Sequence, residues 1–154
     1  MKRATMIICA AAVAALQVSG SAAAPAANVA NRANAVDYRQ HIMNTLNEQA
    51  TALGQILSGA APDDNVLAHL DVLALTASTA LKAFELKVPG GEARPEVWAK
   101  WADFSQRMTE FAQKTAAMAK LGHEQGKEAA LANVVDALSC KKCHDTYRKE
   151  QPAK

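Results

Sequence analysis

The sequence has little of what several specialised protein classes require. Aromatic side chains make up 5% of its 154 residues, and there are seven glycines and three cysteines. Such a composition argues against a sandwich or barrel of many short strands, and three cysteines are too few for a disulfide framework. With 17 basic against 15 acidic residues, the chain also lacks the positive excess that neutralises a nucleic-acid backbone. We therefore expect no nucleic-acid partner.

The amino-terminal residues have the pattern of a secretory signal peptide. Two basic residues precede an apolar run from Met6 to Val18, and small residues follow this run. The run is too short for a comfortable membrane span. We predict a cleaved signal at residues 1–26, a domain at residues 27–154, export to the periplasm and no stable membrane insertion.

Alanine and leucine dominate the composition and favour helices, because they lose little side-chain entropy when the backbone coils. Apolar residues recur at helical spacing in four stretches, and no segment alternates apolar and polar residues over the length of a strand. Since the connections are short, we predict an all-α, antiparallel (up-down-up-down) four-helix bundle. The predicted helices run from Val36 to near Gly59, from Asp63 or Asp64 to before Val88, from Pro95 to Gly122, and from Glu124 or Lys127 to Arg148.

Residues 140–144 read Cys-Lys-Lys-Cys-His, the C-x-x-C-H pattern that marks covalent attachment of haem. Cys140 and Cys143 lie on the same face of the predicted helix, so both sulfurs can form thioether bonds with the vinyl groups of one porphyrin. The imidazole of His144 can then bind the iron as the proximal axial ligand. We predict one covalently bound haem c, with its iron, per chain.

Two other kinds of site can use the same residues. A thiol-disulfide enzyme has its C-x-x-C near the start of a helix within a βαβ unit, whereas here no strand precedes the motif and we predict it to lie late in a helix. A structural zinc site needs a fourth ligand from His41, His69 or His123, and none of them belongs to a second metal-binding motif. Haem attachment explains the motif best.

Three stretches of the sequence carry a resemblance to a known family. They are Tyr38-Arg39-Gln40, residues 91–98 (Gly-Glu-Ala-Arg-Pro-Glu-Val-Trp) and residues 140–149 around the C-x-x-C-H motif, of which the last is the most specific. Through them the domain resembles the cytochrome c′ family, the class II c-type cytochromes. The resemblance implies a four-helix bundle that holds covalently bound haem near its carboxyl end.

The resemblance also implies which residue faces the distal side of the iron. It is the residue four positions after the arginine of the first stretch, here Met43. A methionine there implies the methionine-ligated branch, with six-coordinate, low-spin haem used for electron transfer, because a thioether is a soft ligand that favours ferrous iron. His41 is the competing ligand, but it lies about 200° round the helix from Met43 and is expected to be exposed.

We therefore expect a periplasmic one-electron carrier, not an enzyme, with His144 and Met43 as the axial ligands. The alternative is a five-coordinate cytochrome c′ that binds nitric oxide or carbon monoxide, in which Met43 packs over an open distal face. A thiol-disulfide enzyme without haem is a third and weaker possibility.

The resemblance gives roles to two arginines. Arg39 is expected to pair with a haem propionate, and a surface arginine with a packed stem is the other reading. Arg148 is expected over the proximal face of the haem, one turn after His144, or else in solvent.

The expected partner is a redox protein. Basic residues around the motif, Lys141, Lys142, Arg148 and Lys149, can steer an acidic partner, although a merely solvated helix face has the same composition. A homodimer through the first two helices is a further expectation from the family.

Overall fold

The structure is a computed structural model that describes residues 24–150, with side chains described from residue 31. This part of the chain is helical and contains no strand, as predicted. The predicted signal peptide lies outside the described residues, apart from residues 24–26 at the start of the first helix. The helices are α1 (Ala24–Leu57), α2 (Val66–Ala80), α3 (Lys82–Glu85), α4 (Glu96–Ala99), α5 (Trp101–Gln125), α6 (Lys127–Leu131), α7 (Val134–Ala137) and α8 (Cys140–Tyr147).

These elements group into the four predicted helical segments. The first is α1, the second is α2 with α3, the third is α4 with α5, and the fourth is α6, α7 and α8. In the middle of the bundle, α2 packs against both α1 and α5, and α6 packs against α5. Neighbouring segments in sequence are thus neighbours in space, as short connections require.

The apolar stripe predicted for the second segment is the centre of the core. Leu70 and Leu73 have no exposed area, and Ala77 and Phe84 are also buried. In α1 the predicted stripe is shifted by one residue at its end, because Ile56 is buried whereas Leu57 is 43% exposed. Both positions lie within helical spacing of Leu53, so the periodicity alone does not decide which of the two is buried.

The stretch Val66–Glu85 is apolar and long enough to cross a membrane by length and composition, and it is the one such stretch among the described residues. A core helix of a helical bundle passes the same test. Here the apolar side chains of its buried face contact α1 and α5, which is the position of a core helix.

Two predicted helix ends differ from the structure. The helix α5 continues past Gly122, which is buried inside the bundle, and ends before Gly126 at φ +93°. The side chain of Asp63 does not cap α2, which begins at Val66 without a side-chain cap. The Asp63 carboxylate instead forms an ion pair with Lys127 at 2.8 Å.

The fourth segment is not the continuous helix that the sequence predicts. It is divided into α6, α7 and α8 by turns near Asn133 and Ser139. As a result Cys140 is the first residue of α8, so the C-x-x-C-H motif begins a helix and does not lie late in one. This is a correction to the prediction and to one of the arguments against a thiol-disulfide site.

Candidate haem site

A cavity of about 590 Å³ lies between α1, α5 and the carboxyl-terminal segment. Its wall contains Cys140, Cys143, His144 and Met43, so the structure brings together the predicted attachment residues and both predicted axial ligands. Apolar side chains make up much of the remaining wall: Leu46, Leu73, Met108, Phe111 and Leu138. A largely apolar cavity of this size, with two thiols and an imidazole at one wall, fits a covalently attached haem.

The two thiols do not have the character of a redox-active pair. Burial raises the pKa of the Cys140 thiol and also that of the Cys143 thiol, although Arg148 and Arg107 oppose the increase at Cys140 and Cys143 respectively. A catalytic dithiol needs the opposite shift, toward the thiolate. The position of Cys140 at the start of α8 therefore does not produce an activated nucleophile.

The imidazole of His144 is half-buried beside the attachment cysteines. Burial lowers the pKa of His144, and the positive charge of Arg148 lowers it further. The neutral imidazole is the form that binds a metal. Both causes therefore keep His144 in the state that an axial ligand requires.

Met43 is half-buried on α1, where it packs against the hydrophobic core and also forms part of the cavity wall. His41, the competing ligand, points away from this wall. Its side chain is 73% exposed and pairs with Asp37 at 3.5 Å. The first helix thus presents Met43, not His41, to the cavity.

The other histidines have partners outside the cavity. The ring of His69 lies 2.8 Å from an amide oxygen of Gln49, and the ring of His123 lies 2.9 Å from the carboxylate of Asp71. Among the described residues, no three His, Cys, Asp or Glu side chains are grouped as a metal site. This arrangement gives no support to a zinc site.

Arg39 is buried, with 4% of its surface exposed. Its guanidinium donates hydrogen bonds to the carbonyl oxygens of Val88 and Gly90 at 2.9 and 3.1 Å, and it lies over the rings of Phe84 and Trp98. Desolvation lowers the pKa of Arg39. Arg39 is not part of the cavity wall, so its contact with a haem propionate stays a prediction, and the loop carbonyls are the partners that the structure gives it.

The loop held by Arg39 also contacts the end of α8. Gly90 and Gly91 have φ values of +138° and +58°, which suit glycine, and an added Cβ at either would lie within 3.0 Å of the Val36 side chain. On the other side, the Lys149 side chain donates a hydrogen bond to the Gly91 carbonyl at 2.7 Å, and the Lys149 backbone donates one to Glu92. The loop therefore joins α1 to the residues that follow the haem motif.

Arg148 lies at the cavity wall, exposed to solvent, directly after α8. Its backbone N–H donates to the His144 carbonyl at 2.9 Å, and its charge acts on the pKa of His144 and of Cys140. Arg148 is thus close to the proposed proximal ligand, and its role over the haem face stays a prediction.

Sequence reasoning missed the contribution of α5 to the site. Arg107, Glu110 and Lys114 line the cavity, and Asp103 forms a hydrogen bond with Tyr147 of α8. The spacing of Asp103 and Arg107, an acid and a base four residues apart on one helix, is the signal that could have marked this face.

The sequence of residues 34–148 matches the family described as Cytochrome C′. This range contains Met43 and the whole of the C-x-x-C-H motif. The chain belongs to the cytochrome c′ family. Membership confirms the predicted covalently bound haem c with its iron.

Individual relatives of this cytochrome c′ family member give the same result. The chain is 33% identical over 123 residues to "Cytochrome c′" of Alcaligenes xylosoxydans xylosoxydans, covering 77% of this chain and 95% of the relative. Its structure is similar to that of ferric cytochrome c prime from Alcaligenes xylosoxidans, with a TM-score of 0.70, 29% identity, and 78% and 97% of the two chains covered. This likeness confirms the predicted four-helix bundle.

A third similar structure is a ferrous variant of cytochrome c prime from Alcaligenes xylosoxidans with bound NO. It has a TM-score of 0.70 and 28% identity, and covers 78% of this chain and 97% of that one. The matches are to cytochromes c′ and do not support the methionine-ligated branch that we expected from Met43.

Proposed function

We propose that this member of the cytochrome c′ family binds a small gas, nitric oxide or carbon monoxide, at a haem iron held by His144. This is the alternative of the two functions expected from the sequence. The observation that carries it is the cavity of about 590 Å³, which has His144 in its wall, in a chain similar to a cytochrome c prime with bound NO. Haem c, attached through Cys140 and Cys143, would supply the iron that binds the gas.

The residues of this chain have separate tasks in that function. The thiols of Cys140 and Cys143 would anchor the group to α8, and the neutral His144 imidazole would bind its iron. The apolar part of the cavity wall would favour a weakly polar diatomic ligand over water. The packing of Met43 against the core fits a residue that shapes the cavity without binding metal.

Electron transfer with His144 and Met43 as axial ligands is the second candidate. One observation favours it: the thioether-bearing side chain of Met43 lines the same cavity as His144. A methionine has three rotatable bonds, so a half-buried Met43 can adapt toward a metal in that cavity. Two filled axial positions would leave no place for a gas.

The optical spectrum of the purified holoprotein tests the proposal directly. Gas binding predicts high-spin bands in the ferric and ferrous states and a new spectrum when CO or NO is added to the ferrous protein. Low-spin bands with a methionine–iron feature, unchanged by CO, would overturn it in favour of electron transfer. A protein without haem absorption would contradict both.

Two methionine variants make this test sharper. Met43 and Met108 both line the cavity, so Met108→Leu is a matched control for Met43→Leu. Under the gas-binding proposal neither substitution changes the spin state. Under the electron-transfer candidate Met43→Leu converts low-spin into high-spin haem, whereas Met108→Leu does not.

We further propose that the protein is periplasmic and a carrier or binding protein, not an enzyme. The amino-terminal pattern of residues 1–26 supports export, and the measurement is the amino terminus of the protein isolated from its host. A partner approaching the motif would meet the exposed Lys142, whereas Lys141 is paired with Asp145 at 2.7 Å. If an acidic redox partner docks there, the association rate falls as salt concentration rises.

A further inference from the structure

Among the side chains of the haem-binding helix α8, that of its last residue is the most deeply buried in the bundle. Of residues 140–147, Tyr147 is the one whose side chain is buried, with 3% of its surface exposed. Cys143 and His144 are half-buried, and Cys140 is exposed. Together with the backbone bonds that join Tyr147 to Arg94 and Lys149 to Glu92, the contacts of the Tyr147 side chain therefore determine where the helix lies.

Tyr147 is held by both its ring and its hydroxyl. The ring packs edge-on against Phe104 of α5, with centroids 5.1 Å apart, and Phe104 is itself buried. The hydroxyl donates a hydrogen bond to the Oδ2 atom of Asp103, the neighbouring residue on α5. A buried phenol needs such a partner, and here the partner is a carboxylate, which makes the bond stronger.

Arg107 extends the contact to the other end of α8. Its Nε donates to the same Asp103 Oδ2 atom at 2.8 Å, and its guanidinium lies 5.9 Å from the centre of the Tyr147 ring. One of its terminal nitrogens lies 3.5 Å from the carbonyl oxygen of Lys142. Contacts from one helix thus reach both Lys142 and Tyr147, which flank Cys143 and His144 in the sequence.

We infer that Asp103, Arg107 and Tyr147 form a latch that fixes α8 against α5 and thereby sets the position of His144 at the haem. Asp103 and Tyr147 are positioning residues, since they act on the iron through His144, whereas Arg107 also lines the cavity. The latch contacts the chain before His144 at Lys142 and after it at Tyr147, and a ligand whose support is rigid keeps its geometry when the metal state changes. This inference requires that haem is attached to the chain. It does not depend on whether the protein with bound haem binds a gas or transfers electrons.

The test compares Tyr147→Phe with Tyr38→Phe in the holoprotein. Both changes remove one phenolic hydroxyl, but Tyr38 is 51% exposed and distant from α8 in the sequence. Loss of a buried hydrogen bond predicts about tenfold faster hydrogen exchange at the Arg148 and Arg94 amides, which bond to the His144 and Tyr147 carbonyls. Tyr38→Phe leaves these rates unchanged.

A second readout separates positioning from general stability. The stretching band of the bond between His144 and ferrous iron shifts or broadens in Tyr147→Phe, and it stays unchanged in Leu53→Ala, which destabilises a fully buried site on α1. Should Tyr147→Phe not fold, Asp103→Asn keeps the Tyr147 ring in place and is expected to change the same band. Native exchange rates and a native band in Tyr147→Phe, or in Asp103→Asn if that variant replaces it, would overturn the latch.

This outcome is independent of the proposed function. Spin state and CO binding of the native protein decide between gas binding and electron transfer, whereas the latch is decided by the difference between variants. If the native protein is low-spin, gas binding is contradicted. If the stretching band of the His144–iron bond is also shifted in Tyr147→Phe, the latch is still supported.

Discussion

Two phenylalanines on α5, about two turns apart, show how differently the two halves of the bundle are stabilised. Phe104 is 3% exposed and contacts Phe84, Trp101 and Tyr147. Phe111 is half-buried and forms part of the cavity wall. One region is closed by its own side chains, whereas the other keeps apolar surface at the cavity, where we expect haem to complete the core.

The largest expected effect compares the same substitution in the two regions. Phe104→Ala is expected to lower the free energy of unfolding by about 3–5 kcal/mol, because it leaves a cavity among buried rings. In the haem-free chain Phe111→Ala is expected to cost about half as much or less, since Phe111 already faces open space. Denaturant unfolding of both variants checks the comparison, and equal costs would contradict it.

The next effect concerns the arginine that stabilises the closed region from α1. Arg39→Met keeps an apolar stem but leaves the Val88 and Gly90 carbonyls without their donor, so we expect a loss of about 3 kcal/mol. Arg32→Met, at an exposed position of α1, is the control and should change stability little. If Arg39→Met is as stable as the native haem-free chain but loosens bound haem, the propionate role is the correct one.

A smaller effect tests how tightly the core is packed at the far end of α5, beyond the cavity. A Cβ at Gly122 would lie 2.9 Å from Leu67 and 3.2 Å from Leu70, so Gly122→Ala is expected to cost about 2 kcal/mol. Nothing lies within 4 Å of a Cβ at Gly54, in the interior of α1, so Gly54→Ala is expected to stabilise by about 0.5–1 kcal/mol. Thermal unfolding of the two variants should shift in opposite directions.

The smallest effect is a dependence on pH at the boundary of the two regions. Burial first, and the bond to Asp103 second, raise the pKa of Tyr147 to about 12 in the folded chain. The unfolded chain loses this proton near pH 10, so it binds fewer protons than the folded chain between the two values and stability falls as pH rises. The stability difference between the native chain and Tyr147→Phe should therefore shrink from pH 10 to about 12, and a constant difference would contradict the raised pKa.

Much of the fold could be predicted from the sequence, because the apolar stripes of α2 and α5 are long and regular. The division of the fourth segment could not be predicted in the same way, since Leu131, Val134 and Leu138 keep helical spacing across the turns that interrupt it. Helical periodicity indicates which face is buried, and it does not detect a local turn that preserves that face.

The part of the candidate site that lies in one contiguous sequence motif could be predicted. Cys140, Cys143 and His144 are recognisable at once, whereas Asp103 and Tyr147 are 44 residues apart and meet only through the packing of α5 against α8. For Arg39 the resemblance to the family implied a haem propionate as the partner. It could not indicate that loop carbonyls would satisfy the guanidinium within the protein, because those oxygens belong to every residue type.

The loop held by Arg39, which contains Gly90 and Gly91, limits which substitutions this sequence can accept. Because Gly90 and Gly91 place their backbone against Val36, a side chain at either position would collide with Val36. Relatives that lack one of these glycines should therefore carry a smaller residue at the equivalent of Val36, or a longer loop. Aligned sequences of the family would then show correlated changes between positions distant along the chain, and that correlation would mark where α1 and the haem-bearing segment are joined.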